Sequence, residues 1–523
     1  MRRLRVGILD LVENSPTSGV WNRMMQPNFA AIMPQVIGVW CEEAGHDVTF
    51  VCYTGAEDLA AELPPELDVL FIGAFTNAAL AAAAISHQYR QRGTVTVLGG
   101  PHARCYPGDA ARYFDYVLGF TDKAVVEEVL RDCAPHRPLG LTLGAAKQPS
   151  YLPGIRERWK FIAPTIAKAP AVKIVPMIGS LGCPYTCSFC IDATVDYQPL
   201  CHDQIREDLR FLLRTLKRPR VGWHDPNFGI RFEDTMGAIE EAVPAGRIDF
   251  AAESSLSILS EPRLRRLQRN GFKAILPGIE SWYTLGNKSK TGANVGLEKV
   301  KKVSEHVNTI LRYIPYVQAN FVLGLDDDVG PEPFEMSKRF VDMTPGAFPA
   351  YSLLSAFGQA APLNLDLQRQ GRVVPVPFHF LDNNRAMNVR PKNYTWPQLY
   401  DHVIDLRRYA FSSRSIRRRL SANRGLLTRS LNLVRAMSSE GFGRIRYDTA
   451  IRGLFDSDVS VRRFFEGESR EVPAFYARRV RRDLGALWDS LPAGALEHNP
   501  NAYLEAQPPA TARGHAPGGE PRH

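Results

Sequence analysis

Short apolar runs alternate with helical patterns along the first 140 residues. The apolar runs predict strands at residues 5–11, 47–53, 67–74, 94–98 and 115–118. Two of the intervening helical patterns end at Gly45 and Gly93, and glycine commonly stops a helix. Such alternation is typical of an α/β domain with a doubly wound parallel sheet. In such a sheet, a ligand binds beyond the carboxyl ends of the strands.

A second alternating series follows residues 141–170, whose Pro, Ala and Gly content predicts a linker. Its predicted strands are residues 173–178, 220–224, 248–253, 273–277, 319–323 and 350–354. Six such units indicate a partial (β/α)6 barrel over residues 171–385, with its chemistry at the carboxyl ends of the strands. The pattern is mainly helical and basic over residues 386–505, and the composition of residues 506–523 predicts a disordered tail.

The composition is that of an enzyme with two or three domains. The chain has 523 residues, of which 45% are hydrophobic and 23% are charged. Much of the net charge of +9 lies in residues 414–419 and 478–482, which we interpret as solvated helix faces rather than nucleic-acid contacts. No segment approaches the roughly 20 apolar residues needed to cross a bilayer, and the amino terminus lacks a signal-peptide pattern. We therefore expect a cytoplasmic protein without a membrane span.

Three of the eight cysteines crowd into eight positions after the first strand of the second series. Cys183, Cys187 and Cys190 stand in the segment Ser-Leu-Gly-Cys-Pro-Tyr-Thr-Cys-Ser-Phe-Cys. Three thiolates on a short loop can each ligate one iron of a 4Fe–4S cubane and leave the fourth iron open for a chelating substrate. The alternatives are a zinc site that uses Cys201 or His202, a closed cluster that uses Cys201, and unligated thiols.

The cysteine segment resembles that of the radical SAM superfamily, and the resemblance covers about residues 171–385. It implies that S-adenosylmethionine (SAM) chelates the open iron and that an electron from the reduced cluster cleaves it to a 5′-deoxyadenosyl radical. The segments 278–281 and 320–326 resemble the family's fourth-strand and fifth-strand motifs. The usual Gly-Gly-Glu after the second strand is replaced by residues 223–228, Trp-His-Asp-Pro-Asn-Phe, as in the cobalamin-binding branch. By resemblance, the SAM-binding residues are Phe189, Asp225, Glu253, Glu280, Asn320 and Gly324.

Residues 1–140 resemble the cobalamin-binding domain that precedes the barrel in B12-dependent members of that superfamily. The likeness is carried by small residues at the ends of the third, fourth and fifth predicted strands. The Asp-x-His-x-x-Gly motif that supplies a histidine to cobalt in other cobalamin domains is absent after Asp10, so we expect no histidine ligand on the lower face. A doubly wound domain with another ligand, or with none, is the alternative. By resemblance, the cobalamin-binding residues are Gly73, Thr76, Gly99, Gly100, Pro101, His102 and Gly119.

The resemblance implies a cobalamin-dependent C-methyltransferase that acts on an unactivated carbon. Its expected cofactors are the 4Fe–4S cluster, SAM and cobalamin, and its expected partners are a small-molecule or natural-product substrate and a reductant such as flavodoxin or ferredoxin. A cobalamin-binding cyclase or rearrangement enzyme without methyl transfer is one alternative. A non-catalytic cobalamin or iron–sulfur sensor is another.

Overall fold

The computed structural model describes residues 2–16, 19–133, 140–283, 294–382, 385–502 and 504. In this part of the chain, two six-stranded parallel sheets are followed by a helical region. No helix among these residues has both the length and the apolarity to cross a membrane.

The N-terminal sheet is parallel and has the order β2-β1-β3-β4-β5-β6. Its strands are β1 (Arg5–Leu11), β2 (Asp47–Tyr53), β3 (Val69–Ala74), β4 (Val95–Gly99), β5 (Tyr116–Leu118) and β6 (Leu141–Leu143). The helices of this part of the chain are α1 (Val20–Met25), α2 (Ile32–Glu43), α3 (Leu59–Glu62), α4 (Ala79–Gln91), α5 (Pro101–Cys105), α6 (Pro107–Ala110), α7 (Lys123–Arg131) and α8 (Ile155–Ala167). The doubly wound sheet predicted from the sequence is confirmed, and its strand order reverses between β1 and β3, where such folds bind ligands.

The prediction of a linker over residues 141–170 is wrong. β6 adds a sixth strand to the N-terminal sheet, because Tyr116 pairs with Leu141 and Leu118 with Leu143. α8 follows, and it buries Ile155, Ile162 and Ile166 on one face. The Pro and Gly content of the segment hid this apolar periodicity, and one proline lies inside α8 itself.

The second sheet is also parallel, and its strand order β14-β13-β12-β11-β10-β7 leaves β7 and β14 as edges. Its strands are β7 (Val175–Met177), β10 (Arg220–Trp223), β11 (Asp249–Ser255), β12 (Phe272–Glu280), β13 (Tyr316–Leu323) and β14 (Phe348–Leu353). A separate two-stranded antiparallel ribbon is formed by β8 (Ser180–Leu181) and β9 (Gln198–Pro199). The helices are α9 (His202–Thr215), α10 (Phe232–Ala242), α11 (Glu261–Arg269), α12 (Gly296–Tyr313), α13 (Glu332–Met343) and α14 (Pro362–Arg369). This arrangement is the predicted partial barrel.

Burial alternates along the barrel strands and separates two faces. In β13, residues 317, 319, 321 and 323 are buried, whereas residues 316, 318, 320 and 322 are half-buried. Because successive side chains of a strand point to opposite faces, the buried set packs against the helices and the half-buried set faces the barrel interior. The interior positions are therefore the ones available to a ligand.

The C-terminal region is helical, as predicted. Its helices are α15 (Trp396–Ala410), α16 (Ser413–Ala422), α17 (Leu426–Met437), α18 (Phe442–Ser457), α19 (Val459–Phe465) and α20 (Ala474–Leu484). Arg407 of α15 donates to the backbone carbonyl of Tyr351 at 2.9 Å and pairs with the buried Asp448 of α18. These helices thereby cover the edge strand β14. The predicted tail, residues 506–523, lies outside the described residues.

Candidate active site

The three cysteines lie on a loop that the β8–β9 ribbon closes at its base. Ser180 pairs with Pro199 and Leu181 with Gln198, so the intervening residues 182–197 form one loop at the carboxyl end of β7. Gly182 has a φ of +71°, and a Cβ atom there would lie 2.4 Å from the carbonyl oxygen of Asp196. Only glycine fits the start of this loop, immediately before Cys183.

The loop is organised around the cysteine sulfurs. Cys183 is buried, whereas Cys187 and Cys190 are half-buried, and the backbone N–H of Asp192 donates to the Sγ atom of Cys190 at 3.4 Å. In the described part of the chain, no three His, Cys, Asp or Glu side chains form a group that could hold a metal ion. A 4Fe–4S cubane does not need three ligands around one metal ion, because each thiolate ligates a different iron. Three thiolates on one loop are a donor set that fits a cubane with one open iron. Cys201 is exposed at the start of α9, beyond the ribbon.

A chain of hydroxyl groups joins this loop to the neighbouring strands. The Tyr185 hydroxyl lies 3.1 Å from the Ser257 hydroxyl, which lies 3.1 Å from the Ser255 hydroxyl. Ser255 also donates its backbone N–H to the side chain of Asn227 at 2.9 Å. Neither Ser255 nor Ser257 belongs to a motif that is recognisable from the sequence alone.

Three of the predicted SAM-binding residues, Glu253, Glu280 and Asn320, lie at non-buried positions near the carboxyl ends of adjacent strands. The register pairs Glu253 with Leu276, and it pairs Gly278 with Asn320. The structure therefore brings Glu253, Glu280 and Asn320 to one end of the barrel. Their contacts with SAM stay a prediction.

Glu280 has an unusual backbone conformation. Its φ of +67° is the only positive value of a non-glycine residue in the described part of the chain. A Cβ atom on Gly278 would lie 2.3 Å from the Oε1 atom of Glu280, so the carboxylate folds back over that glycine. Burial lowers the pKa of the neighbouring Lys299 to about 8, although the charge of Glu280 acts in the opposite direction. Strained residues held by their surroundings cluster at functional sites, which favours a role for Glu280.

The orientation of Asn320 is set from the C-terminal region. Arg435 of α17 donates to the Oε1 atom of Gln318 at 2.6 Å, and Gln318 donates from Nε2 to the Oδ1 atom of Asn320 at 2.6 Å. Because a guanidinium only donates, this relay fixes both amides. The Nδ2 atom of Asn320 donates one hydrogen to the backbone carbonyl of Pro277 at 3.4 Å, and an amide NH2 group has a second hydrogen to donate.

Phe189 and Gly324 also contribute to the local structure around them. Phe189 is half-buried against the core, and the preceding carbonyl of Ser188 accepts from the N–H of Leu363 at 2.9 Å. Gly324 has a φ of +84°, and its N–H donates to Asp328 at 3.0 Å in the turn after β13. Their predicted contacts with SAM stay predictions.

The predicted cobalamin-binding residues lie along the carboxyl edge of the N-terminal sheet. Gly73 pairs with Gly99 in the β3–β4 register, and Gly119 follows β5 directly. A Cβ atom on Gly99 would meet no atom within 4 Å, and the nearest atom to one on Gly119 would be 3.8 Å away. Phe75 is exposed beside them, whereas Thr76 is buried. An open edge of this kind fits a flat macrocycle.

The Gly100-Pro101-His102 segment serves the internal packing. Gly100 has a φ of +90°, and a Cβ atom there would lie 2.9 Å from the carbonyl oxygen of Ala74. Pro101 begins α5, a favourable position for proline. The His102 ring is buried against Phe378, with ring centroids 4.8 Å apart, and burial lowers its pKa to about 3. A neutral, enclosed ring favours a structural role for His102 over a contact with a corrin.

Comparison with known proteins identifies the fold. The sequence is 23% identical to the bacteriochlorophyllide d C-12(1)-methyltransferase of Chlorobaculum tepidum over 387 residues, which are 72% of this chain and 81% of that enzyme. It is 26% identical to the hopanoid C-2 methylase of Rhodopseudomonas palustris over 365 residues, which are 63% of this chain and 66% of that enzyme. No family model matches the chain.

Two solved structures share the arrangement of elements. The radical SAM methyltransferase TsrM of Kitasatospora setae, with cobalamin and a 4Fe–4S cluster bound, has a TM-score of 0.52 at 11% identity and covers 71% of this chain and 78% of its own. OxsB, a cobalamin-dependent radical SAM enzyme with aqua-cobalamin and SAM bound, has a TM-score of 0.52 at 12% identity and covers 94% of this chain and 84% of its own. The fold is that of the cobalamin-dependent radical SAM enzymes. The resemblance inferred from the cysteine motif is thereby confirmed.

In this cobalamin-dependent radical SAM fold, one arginine joins the two candidate cofactor sites. Arg104 of α5 donates to the backbone carbonyl of Ile191 at 2.7 Å and to the Asp192 carboxylate at 3.2 Å. Its guanidinium also lies over the Phe120 ring, 4.9 Å from the centroid, and Phe120 follows Gly119 at the edge of the N-terminal sheet. Arg104 stands only two residues after His102, but no sequence motif indicates its role.

Asp225 holds the strand end from which the cysteine loop starts. Its Oδ1 atom accepts the backbone N–H groups of Gly179 at 2.6 Å and Ser180 at 3.0 Å. Burial raises the pKa of this carboxyl to about 6, and the donated hydrogen bonds oppose that rise. These contacts give Asp225 a role in positioning the loop. Its predicted contact with the methionine part of SAM stays a prediction.

We expect Asp225→Ala to lower the free energy of unfolding by about 2–4 kcal/mol, because two buried N–H groups lose their acceptor. The iron content after anaerobic reconstitution should fall as well. Asp225→Asn keeps an acceptor oxygen and should lose less than half as much stability. Denaturant unfolding and iron analysis of both variants test this, and equal losses in the two would contradict the assigned role.

Proposed function

We propose that this protein is a cobalamin-dependent radical SAM C-methyltransferase that acts on an unactivated carbon of a small molecule. The observation that carries the proposal is the position of the open edge of the N-terminal sheet, which Arg104 ties directly to the cysteine loop. TsrM and OxsB, which share this fold, have cobalamin bound, and this supports the proposal. The names of two relatives, both methylases, support the same reaction class.

Different residues of the chain would hold the different cofactors. Cys183, Cys187 and Cys190 would ligate three irons of the cluster and leave the fourth to the amino and carboxyl groups of SAM. When bound, the cluster and SAM supply a radical that removes a hydrogen atom from the substrate, and cobalamin supplies the methyl group. Asn320, with its amide fixed as a donor, and the Glu280 carboxylate would orient SAM within the barrel.

The open edge around Gly99 and Gly119 would receive the corrin. No histidine follows Asp10 in the loop after β1, and the Asp10 carboxylate instead accepts the N–H of Ala31 at 2.7 Å. The proposal therefore includes a cobalamin without a histidine ligand from this loop. Eight cysteines in 523 residues, three of them crowded on one loop, do not make a disulfide framework, which supports a reducing compartment such as the cytoplasm and a reductant such as flavodoxin or ferredoxin.

The decisive experiment is anaerobic reconstitution with iron, sulfide and cobalamin, followed by assay with SAM that carries a deuterated methyl group. Bacteriochlorophyllides and hopanoids are the first substrates to test, because two relatives are named for them. We expect 5′-deoxyadenosine together with a product that carries the labelled methyl group. Deoxyadenosine with an unlabelled, rearranged product would indicate a cyclase or mutase, and an intact cluster that never cleaves SAM would indicate a sensor.

We expect Arg104→Gln to lower the midpoint potential of the reconstituted cluster. The variant loses the bonds that hold Ile191 and Asp192, so the hydrogen bond from the Asp192 N–H to the Cys190 sulfur weakens, and such bonds raise cluster potentials by stabilising the reduced state. A redox titration followed by electron paramagnetic resonance measures the change.

The control for this prediction is Arg112→Gln. Arg112 is exposed in the same domain, and it donates to the backbone carbonyls of Gly494 and Glu497 at 3.3 and 3.2 Å. Its replacement should leave the potential unchanged. An unchanged potential in Arg104→Gln as well would show that Arg104 does not act on the cluster.

A further inference from the structure

The outer face of α17 is an exposed apolar stripe. Leu426 and Met437 are 80% and 65% exposed, and Leu433 between them is also exposed. Their spacing of seven and four residues places the three side chains on one side of a helix. The opposite side carries Asn432, which is buried, and the Arg435 relay to the barrel. The helix is therefore anchored on one face, and among the described residues nothing covers the other.

The stripe continues at both ends of α17. Leu427, 58% exposed, lies beside Leu426 at the start of the helix, and Phe442 is 41% exposed just beyond its end. The α1 segment adjoins that end, because the Ser439 hydroxyl donates to the side chain of Asn22 at 3.3 Å, and Val20 in α1 is 77% exposed. We call this the α17 surface; it comprises Val20, Leu426, Leu427, Leu433, Met437 and Phe442. Exposed apolar side chains grouped along one helix mark an interaction site.

Positive charge surrounds the α17 surface. Residues 413–439 contain seven arginines and no aspartate or glutamate. Arg418 is compensated by Asp342 and Arg419 is buried, whereas Arg414, Arg417 and Arg424 are exposed along α16 and the turn before α17. The interpretation of the run 414–419 as a solvated helix face is therefore wrong in part, because Arg419 donates to the backbone carbonyls of Ala347 and Ala410.

We propose that the α17 surface docks on an anionic lipid bilayer, with α16 and α17 lying along it. An apolar stripe flanked by arginines matches the interface between acyl chains and negatively charged headgroups. A second copy of the chain would bring the same uncompensated arginines against each other, which opposes a symmetric dimer through this face. The inference holds independently of the reaction that the barrel catalyses.

The test is cosedimentation of the full chain with vesicles, either pure phosphatidylcholine or phosphatidylcholine mixed with phosphatidylglycerol. We expect binding to the mixed vesicles only, weakened by raised salt because exposed charges are screened. The triple variant Leu426→Ser, Leu433→Ser and Met437→Ser should bind about tenfold more weakly, since it removes apolar area that would insert into the interface. Circular dichroism and thermal melting check that the variant keeps its fold.

Val329→Ser is the matched control, because Val329 is exposed in the turn after β13, outside the α17 surface, and its loss should leave binding unchanged. The proposal is overturned if the protein ignores anionic vesicles, or if the folded triple variant binds them as well as the unmodified chain. A dimer in sedimentation velocity that the triple variant abolishes, without vesicle binding, would assign the surface to a second copy instead.

Discussion

Replacing Cys183, Cys187 or Cys190 by alanine should reduce SAM cleavage to background, below about a thousandth of the unmodified rate. Each thiolate would hold a different iron, so no remaining sulfur can substitute for the lost one. The visible absorbance of the reconstituted cluster and its iron and sulfide content should fall together with deoxyadenosine formation. Absorbance, metal analysis and product chromatography on the anaerobic protein measure all of these.

Cys201→Ala is the matched control for the three loop variants. Cys201 is exposed at the start of α9, eleven positions beyond Cys190 in the sequence and outside the ribbon that closes the loop. Its loss should leave the cluster intact and cleavage unchanged. Loss of the cluster in Cys201→Ala would instead indicate a closed, four-cysteine site and would remove the open iron on which the proposed function depends.

Much of the fold could be predicted because apolar periodicity is a local signal. The strand predicted at residues 5–11 has the same bounds as β1, and the six predicted barrel strands all appear. The helix α8 could not be predicted in this way, because it contains a proline and follows a Gly-rich segment. Ile155, Ile162 and Ile166 follow the helical period of about 3.6 residues, but the Pro, Ala and Gly content of the segment obscures that period in the sequence.

The candidate site was predictable only where it is carried by a motif. The loop with Cys183, Cys187 and Cys190 combines three reactive side chains in eight positions, so its chemistry is visible without a structure. Arg104 and Arg435 carry no such signal, because each acts through contacts with residues 88 and 117 positions away in the sequence. Such long-range contacts depend on how the domains pack. The packing of the His102 ring against Phe378 is another such contact, and its predicted role at the cofactor stays a prediction.

Gly358→Ala should be among the most destabilising substitutions in the chain, lowering the free energy of unfolding by about 3–5 kcal/mol. Gly358 lies in the turn after β14 with a φ of +51°, and a Cβ atom there would lie 1.7 Å from the backbone carbonyl oxygen of Cys105 in α5. Neither backbone can move alone, because the Tyr106 hydroxyl donates to the carbonyl of Ala356 at 2.9 Å across the same interface. The N-terminal sheet would have to move away from the barrel. Denaturant unfolding measures the loss of stability, and limited proteolysis detects the separation.

Gly330→Ala separates the two causes of the lost stability, which are backbone strain at a positive φ and the clash of the new Cβ atom. Gly330 has a similar φ of +62°, but a Cβ atom there would meet nothing within 4 Å. Its replacement therefore introduces only the backbone strain, about 1–2 kcal/mol. If Gly358→Ala cost no more than Gly330→Ala, the two parts of the chain would not be held as closely as the geometry requires. A larger cost would show that tight backbone contact fixes the distance between the cysteine loop and the open edge of the N-terminal sheet.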